Sequence, residues 1–280
     1  MNKNTLVEIP IEDWPKLRDL YAVRKLESNS YSLIQNYINW LNKDPSLKES
    51  VKIYSLNGDW SDGTFILDDP NPCYIKPNTL ADSQDRLLTA LQCFHKKENL
   101  IFLGCPVRIQ KTIKTYLTSL GIKEESYNFV PTNWNHIEME KALEFNLDPP
   151  QGITLSGVRI EDVDLINYHW PHNFPGSEKF VDRLVRLSQN IGAYDENGNL
   201  VAWCLVLPLG GLGLLQVLDS HKRKGLGSLV VKAMAKMNAE KGLETMAPVL
   251  DGNIASQTMF ERLGFRKIQE IFWFFRPSIE

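Results

Sequence analysis

Residues 214–234 read LLQVLDSHKRKGLGSLVVKAM, an apolar strand running through a basic, glycine-bearing turn straight into a helix. No other stretch constrains the chain as much. A helix N-terminus presents unpaired N–H groups and the positive end of the helix dipole. Glycines at 225 and 227 let the backbone approach an anion without a Cβ in the way. Lys222, Arg223 and Lys224 add charge beside those amides, so several oxygens of a diphosphate would find both backbone and charge-assisted partners. The bland alternative is a solvated basic turn whose glycines serve tight geometry. Other phosphate loops fit worse: a Walker loop needs GxxxxGK[ST] and a dinucleotide loop GxGxxG, and neither pattern occurs.

Alternating strand and helix signals surround this turn. Apolar residues recur at helical spacing over 11–41, with Asn29-Ser30 as a break, and predict two opening helices. The runs VKIYSL and TFIL, separated by Asn57-Gly58-Asp59 and Asp68-Asp69-Pro70, predict a small sheet. The helix LLTALQCFHKK, the run NLIFLG, the helix IQKTIKTYLTSLG and a strand over 126–130 complete an αβα pattern. Asp148-Pro149-Pro150 then interrupts regular structure, because each proline lacks an N–H and restricts its predecessor. A linker is expected there, between domains over 1–145 and 152–280. Beyond it the spacing predicts a strand to Arg159, two helices, a hairpin over 191–207 and a strand over 214–218. A helix over 226–241, a strand over 245–249, a helix over 254–262 and a strand over 265–275 follow. The fold class is α/β in layers: two halves, each a mixed central sheet flanked by helices. TYLTSLGIK at 115–123 echoes TMFERLGFR at 258–266, a helix, Leu-Gly and a strand in both, although Leu-Gly is also an ordinary helix end.

Composition narrows the partners. With 31 basic and 34 acidic residues in 280, the net charge of -3 supplies no global field for nucleic acid or anionic membrane. A small, neutral partner is favoured. Cys73, Cys93, Cys105 and Cys204 lie far apart with no CxxC pair, so no metal site is expected, and a reducing compartment fits. An acidic start without a long apolar run, and no stretch near the ~20 apolar residues of a membrane span, make the cytoplasm the expected location.

The loop Lys222-Arg223-Lys224-Gly225-Leu226-Gly227 resembles the [QR]xxGx[GA] element of acyl-CoA-binding proteins, and DGNIASQTMFERLGF resembles the later Asn…Ser/Ala…Phe/Tyr…GF element of the GNAT superfamily of N-acetyltransferases. More narrowly, VKIYSLNGDW, VAWCLVLPLG and Asn253 followed by Ser256 and LGF are similar to the glycine N-acyltransferase-like branch, over nearly the whole chain. That resemblance implies tandem GNAT-like halves with a degenerate N-terminal one, and FLGCPVRIQKTI, with its single Gly104, is read as the counterpart of the phosphate loop. It also implies acetyl-CoA or another acyl-CoA as co-substrate, a small amine such as an amino acid or arylalkylamine as acceptor, and direct attack in a ternary complex. A mitochondrial location is admitted as well.

Carried over by position, Leu215, Gln216 and Val217 would lend their backbone to the thioester and pantetheine, with the Leu215 N–H as oxyanion donor. Lys222 to Gly227 and Ser228 would hold the diphosphate. Asn253 would touch the pantetheine arm, with Ser256 and Phe260 lining the coenzyme side of their helix. Each has a structural rival, an N-cap for Asn253, a surface position for Ser256 and core for Phe260.

Two departures from the relatives matter. Phe260 stands where many have a tyrosine thought to protonate the leaving thiolate, and Gly211 where the glycine-conjugating relatives carry a glutamate base. His172, in NYHWPHNFPGSEKF, is the candidate replacement base, since imidazole titrates near neutrality. Trp170, Phe174 and Trp203 suit an aromatic pocket wall or core. A protein N-acetyltransferase and a non-catalytic acyl-CoA binder are the competing readings.

Overall fold

A computed structural model describes residues 4–71, 74–94 and 100–275. Cys73 and the tail of the helix expected through LLTALQCFHKK lie outside the described residues. The chain forms two compact units, Met1–Thr132 with Glu270–Glu280, and Asn133–Gln269.

The first unit carries β1 (Leu6–Glu8), α1 (Trp14–Leu20), α2 (Asn29–Lys43), β2 (Lys52–Leu56), β3 (Phe65–Asp69), β4 (Tyr74–Asn78), α3 (Asp85–Cys93), β5 (Ile101–Pro106) and α4 (Gln110–Ser119). Two helices form as expected, but the break falls over 21–28 and Asn29-Ser30 begins the second. Ser28, in extended backbone, accepts a hydrogen bond from the Ser30 N–H and so caps α2, whose Leu33, Ile34, Tyr37, Trp40 and Leu41 are buried. Strands β1 to β4 form an antiparallel meander and β5 joins β4 in parallel.

The second unit contains α5 (Met139–Leu143), β7 (Thr154–Ser156), α6 (Val163–His169), α7 (Glu178–Leu187), β8 (Asn190–Tyr194), β9 (Leu200–Val206), β10 (Leu212–Val217), α8 (Leu226–Glu240), β11 (Thr245–Leu250) and α9 (Ile254–Leu263). Its antiparallel sheet runs β10-β9-β8-β7. A single parallel bridge, Gly211 with Met246, ties the start of β10 to β11. Ala202, Cys204 and Val206 of β9 pack with α8, so Trp203, by strand alternation, faces the opposite side, where α7 contacts β9.

Two long strands, β6 (Asn128–Ile137) and β12 (Arg266–Phe275), each give one end to each unit. In the first unit the end of β12 pairs antiparallel with β5, from Ile271 opposite Pro106 to Phe275 opposite Ile101. Its Phe272 and Phe274 fill the core beside Phe102, Tyr127 and Phe129. In the second unit β6 neighbours β11, and the Asn135 Nδ2 donates to the Ala247 carbonyl at 3.1 Å. The units therefore divide at Thr132, whereas the sequence places a linker at 146–151. A strand belongs where its ladder partners are, and the prolines at 149 and 150 fall in a surface connection within the second unit.

Element order repeats. The series β1-α1-α2-β2-β3-β4-α3-β5-α4-β6 matches β7-α6-α7-β8-β9-β10-α8-β11-α9-β12. This corrects one expectation: the counterpart of the basic glycine loop is 79–84, between β4 and α3. FLGCPVRIQKTI instead spans β5 and α4, the counterparts of β11 and α9.

A lysine is buried in the first unit's sheet. Lys76 of β4 is fully enclosed and donates to the Gly104 carbonyl of β5 at 2.6 Å and to the Asn29 Oδ1 of α2 at 2.7 Å. Burial pulls its ammonium down to about 8. The folded pKa lies below the ordinary 10.5, so the unfolded chain binds more protons above pH 8 and stability rises with pH there. Burial raises the Cys105 thiol to about 11, which acts with opposite sign above pH 9. Between pH 8 and 9 the wild-type protein should gain about 1 kcal/mol relative to Lys76→Met, measured by urea unfolding of both at each pH.

Candidate functional site

In the second unit β10 and β11 part company after the Gly211–Met246 bridge. On its other edge β10 pairs with β9 through a bulge: Gly213 faces Leu205 and Gln216 faces Trp203, leaving two residues, Leu214 and Leu215, opposite Cys204. Leu214 has φ of 47°, left-handed backbone that a leucine adopts only where its surroundings hold it. The bulge turns β10 away from β11 and opens a cleft of about 210 Å³ between them.

From β10 the cleft is lined by Leu212 through Gln216, and from β11 by Pro248, Val249 and Leu250. Asn253, Ser256 and Phe260 line it from α9, on the face of the sheet that carries α8. His169, the last residue of α6, and Trp170, Pro171 and His172, which follow it, line the cleft with Trp203 on the opposite face. Hence Leu215, Gln216, Asn253, Ser256, Phe260 and His172, scattered over 89 positions of sequence from 172 to 260 inclusive, meet at one opening.

Val217 and the loop 222–228 are not among the cleft's lining residues; they continue from it at the end of β10. After one 3-10 turn, Asp219–His221, the chain rises through Arg223 at φ 62° to Gly225 at φ 79°, the N-cap of α8. A glycine cap has no side chain to satisfy the first-turn amides, so the N–H groups of Leu226, Gly227 and Ser228 are offered outward. Lys222, Arg223 and Lys224 are exposed, and the Lys222 Nζ pairs with Asp219 at 2.6 Å. The two glycines differ in their reason. Gly225 needs its positive φ. A Cβ on Gly227 would meet the Val217 Cγ2 at 3.4 Å and the Met259 Sδ at 3.6 Å, ordinary contacts, and its backbone is not in the left-handed region.

The rival readings of the α9 residues hold together with their place in the cleft. Asn253 is the N-cap of α9, its Oδ1 accepting from the Ser256 N–H at 3.1 Å, which leaves its Nδ2 as a donor. Phe260 is buried against Phe265, ring centroids 4.9 Å apart, yet reaches the cleft wall.

His172 is exposed at the surface, but the protein around it disfavours its charged form and lowers its pKa below the usual 6.5. At neutral pH its ring is therefore uncharged and able to accept a proton. Trp170 is held beside it by Phe180 and Phe174, at 5.7 and 6.4 Å between centroids, and His169 stands 6.1 Å from the Trp203 ring.

At Gly211 the space is already taken. A Cβ there would fall 2.6 Å from the Pro248 Cδ and 2.9 Å from the Trp134 ring, and Trp134 is fully buried. Sequence reasoning missed both walls. Trp134 sits on β6 among asparagines, with no signal tying it to a residue 77 positions away, and Pro248 inside an apolar strand was the one available hint.

Similarity to known proteins bears on the fold. Residues 190–274 match the FR47-like protein family. A Drosophila melanogaster protein of known structure superposes with a TM-score of 0.86 at 21% identity, covering 98% of this chain and 99% of that one. A tandem GNAT protein from the clavulanic acid biosynthesis pathway gives 0.59 at 12% identity, over 99% of this chain and all of that one. The chain has a tandem GNAT fold. A GNAT-family acetyltransferase from Colwellia psychrerythraea gives 0.52 at 12% identity, over 98% and 99% of the two chains. The FR47-like stretch runs from β8 to the end of β12, so in this GNAT fold it contains the bulge, the glycine loop and α9, whereas His169 to His172 precede it. Among the described residues no group of three or more His, Cys, Asp or Glu could hold a metal ion, and no helix is long and apolar enough to cross a membrane.

Restoring a glutamate at 211 should fail on steric grounds. Gly211→Glu is expected to destabilise the protein by about 1–3 kcal/mol through overpacking, and trimming the neighbour in Gly211→Glu/Trp134→Ala should cost less than the sum of the two single changes, read by denaturant unfolding.

Proposed function

We propose that the second unit binds an acyl-CoA and transfers its acyl group to the amine of a small molecule, by direct attack in a ternary complex. The observation that carries this reading is the parting of β10 from β11 beside an uncapped, glycine-led helix. Acetyl-CoA or a longer acyl-CoA would lay its diphosphate on the amides of 226–228, with Lys222, Arg223 and Lys224 close by, and run its pantetheine along Leu215, Gln216 and Val217 past the Asn253 Nδ2, Ser256 and Phe260. The thioester would then lie at the bulge, where backbone N–H groups on the β11-facing edge have no ladder partner past Gly211. The Leu215 N–H is the oxyanion donor in this reading. Lys222 would have to exchange Asp219 for phosphate, a small cost for an exposed pair.

The first unit lacks the corresponding features. Its loop 79–84, TLADSQ, has no glycine and no cation, and Lys76 crosses from β4 to β5 where the second unit opens. We read it as a degenerate GNAT unit that binds no coenzyme. Calorimetric titration should give one CoA per chain, and Gly227→Val, with its fold checked by circular dichroism, should lose binding because the side chain fills the diphosphate's place. Two sites, or unchanged affinity in the variant, would put the coenzyme elsewhere.

The glycine N-acyltransferase-like resemblance supports small-molecule acylation, but the carboxylate base of those relatives has no room at Gly211. His172 takes that part. A free alkylammonium, with a pKa of about 10, is deprotonated in only about one molecule in a thousand at pH 7, so a neutral imidazole at the cleft mouth has a real task. Its lowered pKa keeps it in the basic form at neutrality. kcat should rise with pH through an inflection below 6.5, and His172→Ala should remove that inflection and lower kcat by ~10²–10⁴. The lack of a tyrosine hydroxyl at Phe260 is tolerable, since a thiolate whose thiol has a pKa of ~8.5 leaves without prior protonation.

A further inference from the structure

We infer that the acceptor is a monoamine with an aromatic body and no second charge, and that amino acids and polyamines are disfavoured; this rests on the acyltransferase reading above. The cleft pierces the sheet, and its two faces differ in chemistry. Amide and hydroxyl groups come from α9 on the face of α8, the side of the glycine loop. The opposite face offers the Trp170 and Trp203 rings, Pro171 and the imidazoles of His169 and His172. Among the described residues, none that lines the cleft carries a carboxylate, an ammonium or a guanidinium group.

The consequences follow from desolvation. An amino acid brings a carboxylate that stays ionised at neutral pH, and placing it among indole and imidazole rings without a cation is opposed by its desolvation. A polyamine brings a second ammonium and finds no carboxylate. An arylalkylamine carries only the charge that it must lose before it reacts. Its ammonium is drawn over the indole faces on entry, and its ring then packs on a Trp170 already fixed by Phe174 and Phe180. The reaction balances with the groups present: the amine nitrogen forms the new C–N bond, the thioester C–S bond breaks and CoA leaves as thiolate. One N–H proton passes to the neutral His172 and on to solvent or the thiolate, giving the amide and free CoA.

The test uses the full-length wild-type protein with acetyl-CoA and a matched series: phenylethylamine, phenylalanine, phenylalanine methyl ester, glycine and spermidine, with free thiol as the readout. The expected result is a kcat/KM for phenylethylamine on the order of 100-fold or more above phenylalanine, with the methyl ester restored toward the amine because its carboxylate charge has been masked. Glycine and spermidine should be poor. Phenylalanine within about threefold of phenylethylamine, or a preference for glycine or spermidine, overturns the inference. In Trp170→Ala, KM should rise for phenylethylamine far more than for ethylamine. Should no amine be acylated, the acyltransferase reading itself fails, and calorimetry on the CoA-loaded protein decides the remaining point: phenylethylamine binding without phenylalanine upholds the aromatic, carboxylate-free site, and binding of both or of neither overturns it.

Discussion

The site in this protein depends on a place where a sheet stops being a sheet. Adjacent parallel strands ordinarily satisfy each other's amides along their length. Here β10 and β11 share one bridge at Gly211 and then separate, and the separation is held by the extra residue of the β9–β10 bulge with Leu214 in left-handed backbone. A bulge bends its strand and raises the local twist. The strain at Leu214 is supported by the packed core beneath it, where Cys204 and Ala202 face α8, and it exposes backbone groups that a flat sheet would have consumed. The glycine loop, the α9 residues and the aromatic wall all acquire a common centre only because of that opening.

The first unit shows how the same succession of elements can be closed. Its β4 and β5 are also parallel, yet Lys76 extends to the Gly104 carbonyl and Asn29 completes its coordination. A fully buried ammonium is tolerated because two oxygens accept from it and because burial weakens its hold on the proton. Two units of matching element order thus differ in whether backbone carbonyls at the strand opening face a cleft or a lysine. The end of β12 completes the first unit with chain from beyond its own run of sequence, and the second unit begins within β6 at Asn133, so the Pro-rich segment at 149–150 lies inside that unit.

Much was legible beforehand. Helix and strand periodicity placed β8 to β11, α8 and α9 within two residues, since apolar spacing reports which face is buried. The basic glycine turn identified a helix start that side chains do not cap, and Asn253 announced itself as an N-cap. Other readings failed for identifiable causes. Asn29-Ser30 looked like a break but Ser28 caps a helix that begins there. β6 runs on to Ile137 although Pro131, Asn133 and Asn135 dilute its strand signal, and FLGCPVRIQKTI lies one strand beyond the loop's counterpart in the first half.

What the sequence determined by itself was local: the elements, the uncapped glycine-led start of α8, the caps, and the absence of a glutamate at 211. Those properties depend on neighbours within a few residues, through 3.6- and 2-residue periods and the φ that glycine permits. The tertiary structure alone decided that Trp134 and Pro248 close the space beside Gly211, that Gly225 rather than Gly227 is the conformationally required glycine, and that six residues from β10, α9 and the segment after α6 line one cleft. Such proximity depends on ladder register and on which side chains interdigitate across distances of tens to a hundred residues, and neither quantity is written in any local pattern.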